Sequence, residues 1–269
     1  MRCKSFFLFG VALWLFTVGA QAGVFNTKHN LGSTGLNAAS TFSGTREICV
    51  FCHTPHGGDG QAAAPIWNRN LDPTGFATYD QMGTTTLDAG VEPVGSVSLA
   101  CLSCHDGTQA MDAVLNESGS GRDVPGFSRG LWVGQAATVE GRIGPPDVVT
   151  NLGKDLTNDH PVGIQYSGGG YSLSNPAGPG YDKDFNPALS EIMGASRVWW
   201  VNTPGGTAGF EKSDMKLYTR VGSSEGAYIG EPQPYVECAS CHDPHVDYNP
   251  TFLRIDPIGS QVCLACHNK

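Results

Sequence analysis

Eight of the nine cysteines in this chain fall into one five-residue pattern that occurs four times, and a histidine closes every copy. The copies are Cys49-Val50-Phe51-Cys52-His53, Cys101-Leu102-Ser103-Cys104-His105, Cys238-Ala239-Ser240-Cys241-His242 and Cys263-Leu264-Ala265-Cys266-His267. Two thiols three residues apart lie on one face of a helical turn, where each can add to a vinyl group of a porphyrin. The histidine that follows is then held beneath the ring. C-x-x-C-H is the attachment signature of c-type haem, with the histidine as proximal iron ligand. Zinc ribbons also use C-x2-C pairs, and a secreted disulfide scaffold also uses an even cysteine count. Neither gives a reason for a histidine after every second cysteine. The ninth, Cys3, stands in a leader segment and needs no role.

The eight histidines extend the reading. His53, His105, His242 and His267 close the motifs, leaving His29, His56, His160 and His245. Four sixth iron positions thus face four unassigned imidazoles, and the expectation is four covalently bound haem c groups, each bis-His. His56 and His245 stand three residues after a proximal histidine, in His53-Thr54-Pro55-His56 and His242-Asp243-Pro244-His245. A side chain that close cannot cross to the other face of the same ring, so each is expected to ligate a neighbouring haem. His160 precedes Pro161, which favours an extended backbone suited to a loop reaching a haem face. His29 is the least constrained. It either folds back onto a haem of its own chain or completes the fourth haem of a neighbouring subunit, a contact that repeated head to tail gives an open fibre. Methionine is the competing sixth ligand, but Met82, Met111, Met193 and Met215 stand in no repeated relation to the motifs.

Composition narrows the fold. With 36 Gly and 17 Pro, regular elements are interrupted often, and only 15% of residues are charged against 40% hydrophobic. That excludes a disordered tail, a coiled coil, a membrane bundle and a Rossmann-type enzyme. The formal charge of −9, with no basic block, makes nucleic acid and anionic membranes poor partners. Residues 1–22 read as a secretory signal: Arg2 and Lys4 open it, Phe6 to Val18 form the apolar run, and Ala20-Gln21-Ala22 matches the cleavage pattern. No later stretch is apolar enough to span a bilayer.

The motifs form two pairs, each ordered C-x-x-C-H-x-P-H then Cys-Leu-x-Cys-His, which marks an internal repeat of a two-haem unit. The expected organisation is a two-haem segment at 23–127, a loop- and β-rich insert at 128–230 supplying a distal histidine, and a second two-haem segment at 231–269, together one compact unit. Within the insert, Arg197–Val201 and Lys216–Val221 are β-prone runs separated by a Pro204-Gly205-Gly206 turn. Trp199 and Trp200 read as packing residues. The fold class is a mostly irregular, haem-cored multihaem cytochrome c, with a few short helices at the motifs and a small β-rich insert.

The runs Glu47–Gly57, Ala64-Pro65-Ile66-Trp67-Asn68-Arg69 and Ser98–Thr108, with His160-Pro161-Val162-Gly163 and the C-terminal pair, resemble the doubled-CXXCH multihaem cytochromes of metal-respiring and related bacteria. Motif number and order also resemble outer-surface tetrahaem cytochromes of the OmcE type, which polymerise into extracellular filaments. The resemblance implies closely stacked bis-His haems and a distal histidine donated across a subunit boundary.

The function expected is electron conduction without catalysis, because bis-His ligation leaves iron no open position. Partners would be other c-type cytochromes, external acceptors such as metal oxides, and copies of the chain itself. The place would be the cell exterior or outer surface, otherwise the periplasm. The alternatives are a soluble periplasmic shuttle and a multihaem reductase. Intact-mass measurement of protein matured in a competent host should exceed the signal-free polypeptide by four haem masses, and the colour should survive acid–acetone extraction. A colourless or zinc-loaded product overturns the haem reading.

Overall fold

Glycine and proline keep the elements short: among the described residues the longest helix has ten residues and the longest strand seven. The computed structural model describes residues 23–35, 40–117, 132–134, 140–145, 148–222 and 228–268; the leader at 1–22 lies outside them. Among the described residues no helix is long and apolar enough to cross a membrane. Each motif winds into a helical turn. Helix α1, Ser96–His105, carries the second, α2, Cys238–Cys241, the third, and α3, Gln261–Cys266, the fourth. The first motif forms a 3₁₀ turn over Cys49–Phe51. In the first, third and fourth motifs the histidine N–H closes the turn on the first cysteine carbonyl, at 2.7, 3.1 and 2.8 Å.

The strands are β1 Ser40–Phe42, β2 Trp132–Gly134, β3 Ile164–Gln165, β4 Leu189–Met193, β5 Ser196–Val201, β6 Met215–Val221 and β7 Pro232–Val236. β1 pairs with β2, and the other five form an antiparallel sheet in the order β3-β7-β6-β5-β4. The two β-prone runs of the insert lie in β5 and β6, and Trp199 and Trp200 are buried there. The sheet extends past residue 230, because β7 sits between β3 and β6 and feeds through Glu237 into Cys238. The insert is thereby continuous with the third motif.

Three apolar clusters seat the motifs. Val50 and Phe51 pack with Phe42 and Val114, beside Cys52 and Trp132. Leu99 and Leu102 pack with Val94 and Leu156. The largest cluster joins Trp199, Val201, Met215 and Leu217 of the sheet to Tyr166, Tyr171 and Ala265, with Cys241 and Cys266 at its margin. Residues between the cysteines thus act as anchors, holding the thiols at the edge of packed apolar surface.

A buried polar junction ties the two halves together. Ser98 on α1 donates to Glu237 at 2.5 Å and accepts from the Cys238 N–H at 2.9 Å. Arg220 on β6 pairs with the other Glu237 oxygen at 3.2 Å and donates to the Pro93 carbonyl at 2.7 Å. Burial pushes the Glu237 carboxyl up to about 6, against the opposing pull of Ser98 and Arg220. Gly163 passes close by in a left-handed conformation, φ +69°, where a Cβ would stand 2.7 Å from the Glu92 carbonyl. Only glycine fits there, and this turn sets the loop bearing His160 beside the end of β7. Ser98→Ala removes both of its bonds at the junction. The expected cost is about 1–3 kcal/mol, read as a lower denaturation midpoint with haem content unchanged.

Candidate haem-ligand pairs

Covalent attachment by two cysteines fixes a porphyrin's position, so the test of the site is whether imidazoles meet across it. Two do so at the first motif. The rings of His53 and His245 face each other with centroids 6.3 Å apart and planes within 14°. Two do so at the second: His105 and His29 have centroids 6.2 Å apart and planes at 72°. Metal–imidazole bonds of about 2 Å on opposite sides of one ion would put the ring centres about 6 Å apart, a spacing both pairs match. A tetrahedral zinc cage is a different arrangement, and among the described residues no three His, Cys, Asp or Glu side chains converge as one.

The second nitrogen of these rings is held. His53 Nδ1 meets the Pro65 carbonyl at 2.8 Å, His105 Nδ1 that of Thr150 at 2.8 Å, and His242 Nδ1 that of Thr251 at 2.7 Å. His29 Nδ1 meets the Pro244 carbonyl at 3.3 Å. A proton fixed on Nδ1 leaves the Nε2 lone pair for metal, and the partner fixes the ring's direction. Burial, then the neighbouring His105, lowers His29 to about 4, and burial lowers His105 as well. Both shifts favour the neutral ring, the form that binds metal. His245 differs: its Nδ1 lies 3.2 Å from the Asp243 carboxylate, which raises the imidazole above its ordinary value while Asp243 falls to about 2, chiefly through that bond.

Thiols of different motifs lie near enough to shift one another: Cys104 raises Cys52, Cys238 raises Cys101, Cys263 raises Cys241 and Cys241 raises Cys266. Burial holds Cys52 at about 12, Cys241 at about 11 and Cys266 at about 12. The segment 242–245 meets three of the motifs: His242 closes the third, the Pro244 carbonyl orients His29 at the second, and His245 faces His53 of the first.

His56 and His160 are exposed and stand against no other imidazole among the described residues. His160 Nδ1 contacts its neighbour's carbonyl, Pro161, at 3.0 Å. The ring of His267 packs on Phe185 at 4.4 Å between centroids.

Side chains outside the motifs hold the motif turns. Asn68 donates to the Val50 carbonyl at 2.6 Å, and Arg69 grips the Ser103 carbonyl through Nε and Nη2 at 3.3 and 2.8 Å. Arg254 takes the Ala239 carbonyl at 3.1 and 3.0 Å, and Asn186 those of Leu264 and Ala265 at 3.0 Å each. The first and third motifs share a bond set. The Thr54 N–H meets the Ile66 carbonyl as Asp243 meets Phe252, and the Asn68 N–H meets Cys52 as Arg254 meets Cys241. Ile66 and Phe252, at matching places, both adopt positive φ, 46° and 61°. Trp67-Asn68 and Leu253-Arg254 share no residue, so only the backbone reveals the correspondence.

Residues 233–269 match the family model described as the doubled CXXCH motif. The matched stretch contains the third and fourth motifs and supports a multihaem c-type cytochrome that carries covalently attached haem and transfers electrons. No curated protein matches the chain.

His245→Ala should leave the haem at Cys49 and Cys52 five-coordinate and high-spin, and His29→Ala the one at Cys101 and Cys104. CO difference spectra of the reduced variants check this, one haem equivalent binding CO in each. His56→Ala and His160→Ala should leave both of these haems low-spin.

Proposed function

We propose that the chain is a secreted tetrahaem c-type cytochrome that conducts electrons through bis-His haems to acceptors outside the cell, metal oxides among them. The facing pairs His53/His245 and His29/His105 carry the reading. Bound haem supplies an iron couple that exchanges one electron. At the first two motifs the paired imidazoles would hold the iron on both sides, so substrate would have nowhere to bind there and the ligand set would be the same in both oxidation states. Histidine in place of methionine as sixth ligand favours low potentials. Carbonyls of Pro65, Thr150, Thr251 and Pro244 keep the rings from turning, which limits rearrangement on transfer.

Two assemblies fit this chemistry. His29 meets His105 of its own chain, which favours a self-contained shuttle over an N-terminal arm exchanged between subunits. A filament of the kind the resemblance implies then needs another donor, and the exposed His56 and His160 are the remaining ones for His242 and His267. Negative-stain microscopy of secreted protein distinguishes the two. In the filament reading, His56→Ala or His160→Ala yields monomers with one altered haem, while His29→Ala alters a haem and leaves fibres intact. Protein that stays monomeric at every concentration with all haems six-coordinate is the shuttle. Rapid CO binding by the wild type at one haem overturns the closed-site reading and favours a reductase.

A further inference from the structure

The first and third motifs carry the same backbone scaffold but differ beside their histidines. The residue after the proximal histidine is Thr54 in one and Asp243 in the other. Thr54 is buried, and its hydroxyl donates to the His56 carbonyl at 3.0 Å. Asp243 instead turns one oxygen to His245, accepting from the backbone N–H at 3.0 Å and from Nδ1 at 3.2 Å. Its other oxygen lies 3.8 Å from Arg254 Nη1. Arg254 directs its hydrogens to the Ala239 and Lys212 carbonyls, so it offsets the carboxylate only in part.

Among His53, His105, His242, His29 and His245, the last alone gives its Nδ1 hydrogen to a full negative charge; the others meet neutral carbonyls. A carboxylate on the far nitrogen raises the basicity of a metal-bound imidazole. The more basic ring donates more strongly to iron and favours the ferric over the ferrous state. This acts without a bond made or broken, on a step in which iron gains one electron from an external donor.

We propose that Asp243 is a positioning residue that sets potential: through His245 it makes the haem at Cys49, Cys52 and His53 lower in potential than the haem at Cys101, Cys104 and His105. The proposal rests on the bis-His reading above. Its consequence is a built-in direction, since an electron entering at the first haem moves downhill to the second.

The two haems can be told apart. Nearly parallel imidazole planes at the first and nearly perpendicular planes at the second split the ferric d orbitals differently, giving separate low-spin EPR signals. The experiment is an EPR-monitored redox titration of the full-length, haem-loaded protein as wild type, Asp243→Asn, Asp243→Thr and His245→Ala. The His245→Ala variant identifies the first haem as the low-spin signal it abolishes. In the wild type that signal should titrate below the perpendicular-plane signal. In Asp243→Asn its ferric-to-ferrous ratio at a fixed poise should fall about tenfold, an upward shift of about 59 mV for one electron, with the second haem unmoved. Asp243→Thr, which copies the other repeat, should do the same and serves if the Asn variant loads haem poorly. A first haem that stays low-spin and titrates unchanged in both variants overturns the proposal, as does a wild type in which it lies above the second. If His245→Ala abolishes no low-spin signal, the ligand reading itself fails.

Discussion

An imidazole binds metal through one nitrogen only when something holds the other, and much of this molecule is arranged to do that. The carbonyls that receive Nδ1 of His53 and His242 come from loops whose positive-φ residues, Ile66 and Phe252, bend the chain back over the motif just left. The same loops supply Asn68 and Arg254, which fasten the turn bearing the cysteines. One returning loop thus fixes both the thiols and the ring. A motif of five residues needs this loop for its imidazole to point one way, because a turn of three or four helical residues has little stability of its own.

Covalent haem attachment was legible in the sequence, and the pairing of imidazoles was not. Cysteine spacing and the following histidine are local, so candidate attachment sites can be read directly. A distal ligand is chosen by tertiary geometry. His56 and His245 occupy the same place in the repeat, yet His245 meets His53 while His56 stays exposed. His29, the least constrained in sequence, is held at Nδ1 by the Pro244 carbonyl and on its face by a stack on Phe252 at 4.3 Å. Neither partner is near it in the chain.

The sheet divides in the same way. β5 and β6 are rich in valine, tryptophan and tyrosine and are visible as β-prone runs. β7 is not, because Pro232 and Pro234 argue against a strand with neighbours on both sides. The structure resolves the conflict by length. β3 has two residues and stops at the Gln165–Tyr235 pair, so on that side the prolines have no strand to bond, while β6 pairs along the other. The sheet keeps a route into Cys238 at the expense of regularity on one edge.

The two halves of the repeat show what such a scaffold lets vary. Backbone bonds around the first and third motifs coincide, so the fold constrains those positions through main-chain geometry. The side chains there are free to change together, and two of them have. Thr54 and Asn68, both neutral, correspond to Asp243 and Arg254, which are opposite in charge and 3.8 Å apart. A lone carboxylate beside the Ala239 turn would sit partly buried without compensation, and a lone guanidinium there would lack its counter-charge. Introduced as a pair, they leave the turn's bonding intact: Arg254 still holds the carbonyl that Asn68 holds in the other copy. The asymmetry is placed where it changes the surroundings of His245 while the path of the chain stays the same. Duplicated motifs can therefore share one backbone arrangement while the side chains around their histidines differ in charge.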